Sequence, residues 1–464
     1  MERPFSFRKL VVGILLLNAS SGVLFAVLPL FEVQEGGGPL LATLIVGAPL
    51  LAQILATFLW GALSDRWGRR RGLLAGGILG QSVLFLAYPF VGPVGLLAVR
   101  IVQVFLGATS ALATTVATED PKRSAGEGLG NLSFWGSVGG VLGVIAGYPL
   151  LGGAEFTSHS STALGLCVLL AALSGTAALY LALSGELRRP TGAVPLSRTL
   201  RFRSGPWVLR LSLAVAVVGV ANYTVYTLFP LFIRDVMAPQ GPSLFGAVLN
   251  PTQQLALLSL GAGAGGVLVS PSTGRWVENV LTRRTLVLGA PAIYALLWTG
   301  LALLRGYAVV FLIWSFPAAV LLQLPLTREI AGLTSREERG RAVGLVWAAY
   351  YLGGLGGAIA AGLGVEAGVP FATMFLVSAG VDLAGLLALL AVMFTGGVMP
   401  TPDRLASSEA SDAMPSQRSY MPELDRREEP VGSKAWPCAG PLVGPRSVRP
   451  RGASGSQGRR PDPG

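Results

Sequence analysis

Charge is scarce in this chain. Asp, Glu, Lys and Arg make up 13% of its 464 residues, about half the share of an ordinary water-soluble domain. With 52% apolar residues and a mean hydropathy of +0.61, too few charges remain to clothe a dissolved globule. Histidine occurs once, as His159, and cysteine twice, as Cys167 and Cys438. One imidazole and two distant thiols give neither a disulfide framework nor metal-ligand spacing. No metal and no cofactor is therefore expected. A GxxxxGK[ST] phosphate loop is also missing, which leaves an ATP-driven pump without its residues. The stretch GAGAGG at 261–266 fits GxGxxG, but it lies inside an apolar run with no strand before it, so nucleotide binding is not expected. No catalytic residue can be assigned, and the chain is not expected to be an enzyme. The formal charge of +11 would suit nucleic acid only if the basic residues shared one face. They come instead in short patches between apolar stretches, so nucleic acid is not an expected partner.

What the chain has in quantity is long apolar runs. Stretches such as LVVGILLLNASSGVLFAVLPLF at 10–31 match the roughly 20 residues that a helix needs to cross about 30 Å of hydrocarbon. Backbone groups must satisfy one another there, which leaves helices or a closed barrel. Barrel strands would alternate polar and apolar side chains, and these runs do not. Charges and Gly/Pro breaks divide them into twelve expected spans, near 10–32, 39–60, 72–91, 95–117, 129–151, 162–184, 208–232, 245–271, 285–304, 308–328, 341–364 and 371–395. The first run is too long for a signal peptide and lacks a small-residue cleavage site, so it is read as a retained span. The expected fold is an all-α membrane protein of twelve transmembrane helices in a lipid bilayer.

Placing the N-terminus in the cytoplasm puts about 22 basic residues of the loops on that side and about two, Arg234 and Arg305, on the other. Both termini are expected to be cytoplasmic. The chain also repeats. PLF closes the first span at 29–31 and the seventh at 230–232. GALSDRWGRRR (61–71) follows the second span and GRWVENVLTRR (274–284) the eighth, with Glu278 where Asp65 stands. Arg123 and Arg339 precede Gly-Leu pairs by the same spacing after the fourth and tenth spans. Three correspondences in one order imply two pseudo-symmetric six-helix halves, expected at 1–186 and 208–396 with a cytoplasmic linker at 187–207. Halves of this kind are what alternating-access carriers are built from, with the solute site at mid-membrane between them. Residues 397–464 are rich in Ser, Pro, Gly and mixed charge and are expected to be a disordered cytoplasmic tail.

These motifs resemble the major facilitator superfamily over roughly residues 8–396. The segment GALSDRWGRRR is similar to that family's loop signature at Gly61, Asp65, Arg66, Gly68, Arg69 and Arg70. Arg100 with Gln103 resembles the fourth-helix motif, with Val104 where a glycine is expected. GVLGVIAGYPLLGG at 140–153 resembles the fifth-helix motif of the family's antiporters, with Tyr148 interrupting its Gly-Pro pair. The layout looks most like the twelve-helix drug:proton antiporters. That resemblance implies a cell-membrane transporter exporting small organic or drug-like molecules in exchange for protons, working as a monomer. Two alternatives stay open: an uptake or exchange carrier for an anionic or polar metabolite, and a non-transporting sensor.

The resemblance also implies a conformational latch. Asp65, near the cytoplasmic end of the second span, would meet the N-terminus of a helix from the other half, with Arg69 holding it or reaching Glu119 and Asp120, and with Glu278 as its counterpart. The alternative is that these residues set topology alone. Polar groups inside spans supply cavity candidates: Asn18, Arg100, Gln103, Asn222, Tyr223, Tyr226, Gln253, Gln323 and Tyr350. Arg100 could instead reach water at the outer interface. Asp382, about twelve residues into the last span, is the proton-coupling candidate, with a structural role as the alternative. Gly139, Gly143, Gly147 and Pro149 in the fifth span, and Gly353 and Gly357 in the eleventh, are expected to let helices pack closely.

Overall fold

The computed structural model describes residues 6–34, 36–67, 70–118, 124–151, 161–184, 205–240, 243–244, 247–304, 306–334 and 339–395. The expected linker and tail lie almost wholly outside these. Twelve helical spans are present among the described residues. They are α1 (Phe7–Gln34), α2 (Pro39–Gly47 continuing as Pro49–Trp67), α3 (Arg70–Phe85), α4 (Pro93–Gly107, then Ala111–Thr118), α5 (Ala125–Gly147) and α6 (Ser161–Ala182). They continue as α7 (Pro206–Phe232), α8 (Pro251–Trp276), α9 (Val280–Leu303), α10 (Tyr307–Trp314, then Ala318–Leu333), α11 (Arg339–Glu366) and α12 (Phe371–Thr395). Eleven of these, α2 to α12, are long and apolar enough to cross a bilayer by length and composition. With the 28-residue α1 the protein is an all-α, twelve-helix membrane protein.

Local chemistry marks the helix starts. Pro39, Pro93, Pro206 and Pro251 each open a span directly after Gly38, Gly92, Gly205 or Asn250, a position where the missing proline N–H costs nothing. α8 starts six residues later than the apolar run suggests. Asn250 caps it by accepting from the Gln253 amide while the Gln253 side chain accepts from the Asn250 N–H, and the preceding 243–248 segment holds a two-residue antiparallel pair. This reciprocal cap fixes the boundary more strongly than hydropathy does. Similarly, α5 starts at Ala125 rather than 129, because Ser124 accepts from the Glu127 N–H.

Two helix pairs show the repeat in three dimensions. A Cβ on Gly139 or Gly143 of α5 would lie 2.0 or 1.9 Å from the carbonyl oxygens of Leu15 or Ala19 on α1. A Cβ on Gly353 or Gly357 of α11 would lie 2.0 or 2.2 Å from those of Ala216 or Val220 on α7. Backbones this close are possible only where the residue facing the carbonyl oxygen has no Cβ. Pro149 lies outside α5, in the single 3-10 turn Tyr148–Leu151. The glycines of 261–266 sit inside α8 and are also packing positions: a Cβ on Gly265 would meet the Ser315 carbonyl oxygen at 2.2 Å. Outward faces are apolar, with Leu55, Val94, Leu268, Leu312 and Phe394 exposed, as hydrocarbon contact requires.

The halves α1–α6 and α7–α12 touch along α2 with α11 and α5 with α8. Arg283, Arg284 and Arg328 lie together, with Glu278 and Glu329, at one end of the bundle, here termed the basic face. Near it, a Cβ on Gly344 of α11 would lie 3.6 Å from the Phe58 ring on α2. At mid-depth a Cβ on Gly47 would press on Ala358. At the opposite face the Leu40 amide, at the start of α2, donates to Glu366 Oε1 on α11 at 3.4 Å.

Candidate functional site

A chamber of about 650 Å³ lies between the halves, walled by α1 to α5 and closed by α8 and α10. That volume falls in the range of small-molecule sites. Its polar lining includes Asn18 and Ser21 on α1, Gln53 on α2, Gln81 on α3, Arg100, Gln103 and Thr114 on α4, Ser133 and Ser137 on α5, Ser259 on α8 and Gln323 on α10. Leu17, Leu132, Val144, Val320 and Leu324 make the apolar part.

The sharpest chemistry is at Arg100, about 10 Å along α4 from Pro93 at a rise of 1.5 Å per residue. Its Nη1 donates to Gln103 Oε1 at 2.6 Å. The same oxygen accepts from the hydroxyl of Tyr88, in the turn between α3 and α4. A guanidinium has no acceptor, so this pair fixes which end of the Gln103 amide faces it. Both acceptor directions of that oxygen are then used. Gln103 Nε2 and Arg100 Nε are buried donors with no partner among the described residues, and no Asp or Glu is among the described lining residues. Elsewhere on the wall, Asn18 spends its amide on the Ile14 carbonyl at 2.9 Å and keeps its oxygen free of any bond within the helix. Gln323 faces the chamber from the other half.

Five cavity candidates lie elsewhere. Gln253 serves the α8 cap described above. Asn222, Tyr223, Tyr226 and Tyr350 form the interior of the second half. Asn222 is fully buried, with Nδ2 3.5 Å from the Tyr350 hydroxyl. The Tyr226 and Tyr294 hydroxyls share a hydrogen bond of 3.1 Å, and the Tyr223 ring packs edge-on against Tyr226 and Tyr350. Aromatic contacts of this kind stabilise a core and are turned away from the chamber. Reading the sequence misses the lining hydroxyls, such as Ser133 and Ser137, and the two amides Gln53 and Gln81. For Gln53 and Gln81 the signal was present, since each is a lone amide in an apolar span.

Asp382 also lies in this second-half core. It is 0% exposed and neither carboxylate oxygen has a hydrogen-bond partner among the described residues. Trp298 is its nearest polar neighbour, with Tyr226 and Tyr294 beyond. It does not line the chamber.

At the basic face Glu278, in the short connection between α8 and α9, reaches across the halves. Its Oε1 accepts from the Gly126 N–H at 2.8 Å, in the first turn of α5, and its Oε2 from Arg328 Nη2 of α10 at 3.2 Å. Burial would raise this carboxyl's pKa. The Gly126 amide, the Ser124 hydroxyl and Arg328 outweigh it and hold the group below its ordinary 4.5. Beside it, Glu329 is 1% exposed and bridges Arg283 Nε at 2.5 Å and Arg284 Nε at 3.1 Å. Arg283 also donates to the Val277 carbonyl. Of the other latch candidates, Gly61, Asp65 and Arg66 fall in the last turns of α2 and Arg70 opens α3. Gly68, Arg69, Glu119 and Asp120 lie outside the described residues.

The family model described as Major Facilitator Superfamily matches residues 10–328. The chain is 24% identical over 291 residues to the multidrug resistance protein MdtG of Enterobacter lignolyticus, covering 60% of this chain and 65% of that protein, just under two thirds of its length. It is also 24% identical over 330 residues to the staphyloferrin B transporter of Staphylococcus aureus, covering 65% of this chain and 73% of that protein. Among solved structures, the human organic anion transporter MFSD10 superposes with a TM-score of 0.62 at 19% identity, covering 83% of this chain and 98% of that one. The nucleoside transporter NupG superposes with a TM-score of 0.60 at 14% identity, covering 83% and 98%. At these identities the two structures speak for the fold alone.

Proposed function

The chain belongs to the major facilitator superfamily of membrane transporters, and we propose that it moves small organic molecules by alternating access through the chamber between its halves. The supporting observation is that chamber, a mixed polar and apolar space between the halves, with the Glu278–Gly126 contact joining the halves at the basic face and the Leu40–Glu366 contact joining them at the other. The halves are taken as 1–186 and 208–396, and the basic face as the cytoplasmic side of the cell membrane, on the asymmetry of Lys and Arg. Ser21 lines the chamber and reports access to it. In a background without Cys167 and Cys438, Ser21→Cys in proteoliposomes is expected to react with an impermeant maleimide from each side in turn as conditions are varied. Labelling from one side only, under every condition, would overturn alternating access.

In this reading Glu278 is a latch of the state closed at the basic face. A carboxylate on an exposed helix N-terminus contributes up to about 1 kcal/mol. Glu278→Gln is therefore expected to raise labelling of Ser21→Cys from the basic face roughly fivefold. Because the pKa of Glu278 is depressed, its contribution is complete above the ordinary 4.5 and fades as pH falls through the lowered value. The variant should thus differ from the parent at neutral pH and converge with it in acid. Equal labelling at neutral pH would remove the latch.

Proton-driven export of drug-like molecules is the second reading, and Asp382 is what favours it. A fully buried carboxyl with the Trp298 indole beside it and no ion-pair partner among the described residues is a group on which a proton can be held out of water. Asp382→Asn is expected to abolish flux driven by a pH gradient while leaving gradient-free exchange intact. An unchanged response to the gradient would take Asp382 out of the coupling.

A further inference from the structure

We propose that the chamber selects organic anions, and that Arg100 with Gln103 forms the subsite for the anionic group. The inference rests on the reading of the chamber as the solute site and names the class of solute.

Charge balance carries it. The described lining holds one cation and no acid. An arginine held in a low-dielectric wall is costly, and proteins ordinarily pair it with a carboxylate or with backbone carbonyls. Arg100 has only neutral partners among the described residues, the oxygen of Gln103 and the hydroxyl of Tyr88, which give hydrogen bonds but no charge. That oxygen is already shared with Tyr88. The guanidinium is therefore held in position by partners that leave its charge unspent.

Donor count points the same way. With Gln103 fixed oxygen-first toward Arg100, its Nε2 is left as a fully buried donor, and Arg100 Nε is a second. Two unpartnered donors of one charged cluster, three residues apart on one face of α4, suit an oxyanion: a carboxylate, sulfonate or phosphate can accept from both at once. A cationic or purely neutral solute would leave the Arg100 charge unmatched. Beyond the subsite, Asn18, Gln53 and Gln81 supply amides, and Leu132, Val144 and Leu324 supply apolar contact. The occupant is thus amphipathic, with a single oxyanion at one end of a small organic body.

The test uses full-length protein in nanodiscs with matched pairs of probes: benzoate with benzamide, naphthoate with naphthamide, and benzenesulfonate and phenyl phosphate as further anions. Thermal stabilisation is titrated against each. The anions are expected to bind at least about tenfold more tightly than the amides of the same shape. Arg100→Gln should erase that preference. Gln103→Glu is the more telling variant, because it changes size little and gives Arg100 an internal counter-charge. It should keep or raise thermal stability while weakening the anions at least about tenfold. A role confined to packing would leave anion affinity unmoved. Amides that bind as well as the anions, no stabilisation by any anion of the panel, or a Gln103→Glu variant that keeps the anion preference would each overturn the assignment. Flux of neutral or cationic solutes alone would sink this inference and leave the transporter reading standing. Anion binding with Ser21→Cys reactive from one side only would do the reverse.

Discussion

Glu329→Ala is expected to be the most damaging single change at the basic face, lowering the melting temperature of the purified protein by several degrees. Glu329 is 1% exposed and Arg283 8%, and the guanidinium is otherwise bonded only to the Val277 carbonyl among the described contacts. Removing the carboxylate strands a buried cation, a change that costs about 3–5 kcal/mol where it has been isolated. The pair itself is worth much less than the penalty for breaking it, since each charge gave up its water to enter. A double variant, Glu329→Leu with Arg283→Leu, should therefore recover most of the loss. Melting curves of the two variants and the parent in one detergent check this. A double variant no better than Glu329→Ala would mean the two groups act separately. The consequence reaches the proposed latch, because Arg328, which pairs with Glu278, is the residue next to Glu329 on α10. A firm α10 end gives Glu278 a fixed anchor from which to cross to α5.

Gly353→Ala is expected to cost several kcal/mol and to reduce the yield of monodisperse protein sharply, whereas Gly356→Ala on the same helix is expected to be harmless. The added methyl at 353 would sit 2.0 Å from a backbone oxygen of α7, and that oxygen cannot swing aside as a side chain can. Overpacking a rigid contact costs about 1–3 kcal/mol in ordinary cores and more where backbone must move. At Gly356 nothing lies within 4 Å, so only the gain in helix propensity remains, about 1 kcal/mol in favour of alanine. Gly143→Ala should match Gly353→Ala, its methyl falling 1.9 Å from the Ala19 oxygen on α1. Fluorescence-detected size exclusion of the three variants would decide the point. Similar profiles for Gly353→Ala and Gly356→Ala would mean that the α7–α11 contact is looser than these distances.

How much of this could be read beforehand follows from what each kind of signal records. The twelve spans are legible because bilayer thickness imposes a length, and no other constraint keeps charge out of twenty successive residues. The pairing of halves is legible because three motifs recur in order. Helix breaks are not: α2, α4 and α10 each change course near residues 48, 108–110 and 315–317, and only Pro49 and Pro317 hint at it. The start of α8 needed the Asn250 and Gln253 side chains to be recognised as a reciprocal cap. At the site, Arg100, Gln103, Asn18 and Gln323 announce themselves as polar groups in hydrocarbon. Asn222, Tyr223, Tyr226 and Tyr350 give the same signal yet face the second-half core. A span that is apolar nearly all round carries no marker of its own rotation, so composition says that a polar group is inside but not which inside it faces.

The chamber is unevenly shared. Among the described residues the second half contributes Ser259, Gly263, Val320, Gln323 and Leu324, while the charge, the amides of α1 to α4 and the hydroxyls of α5 come from the first. The chemistry of the chamber is therefore set mainly by the first six helices. A substitution in α1 to α5 is accordingly far more apt to change that lining than one in α7 to α12.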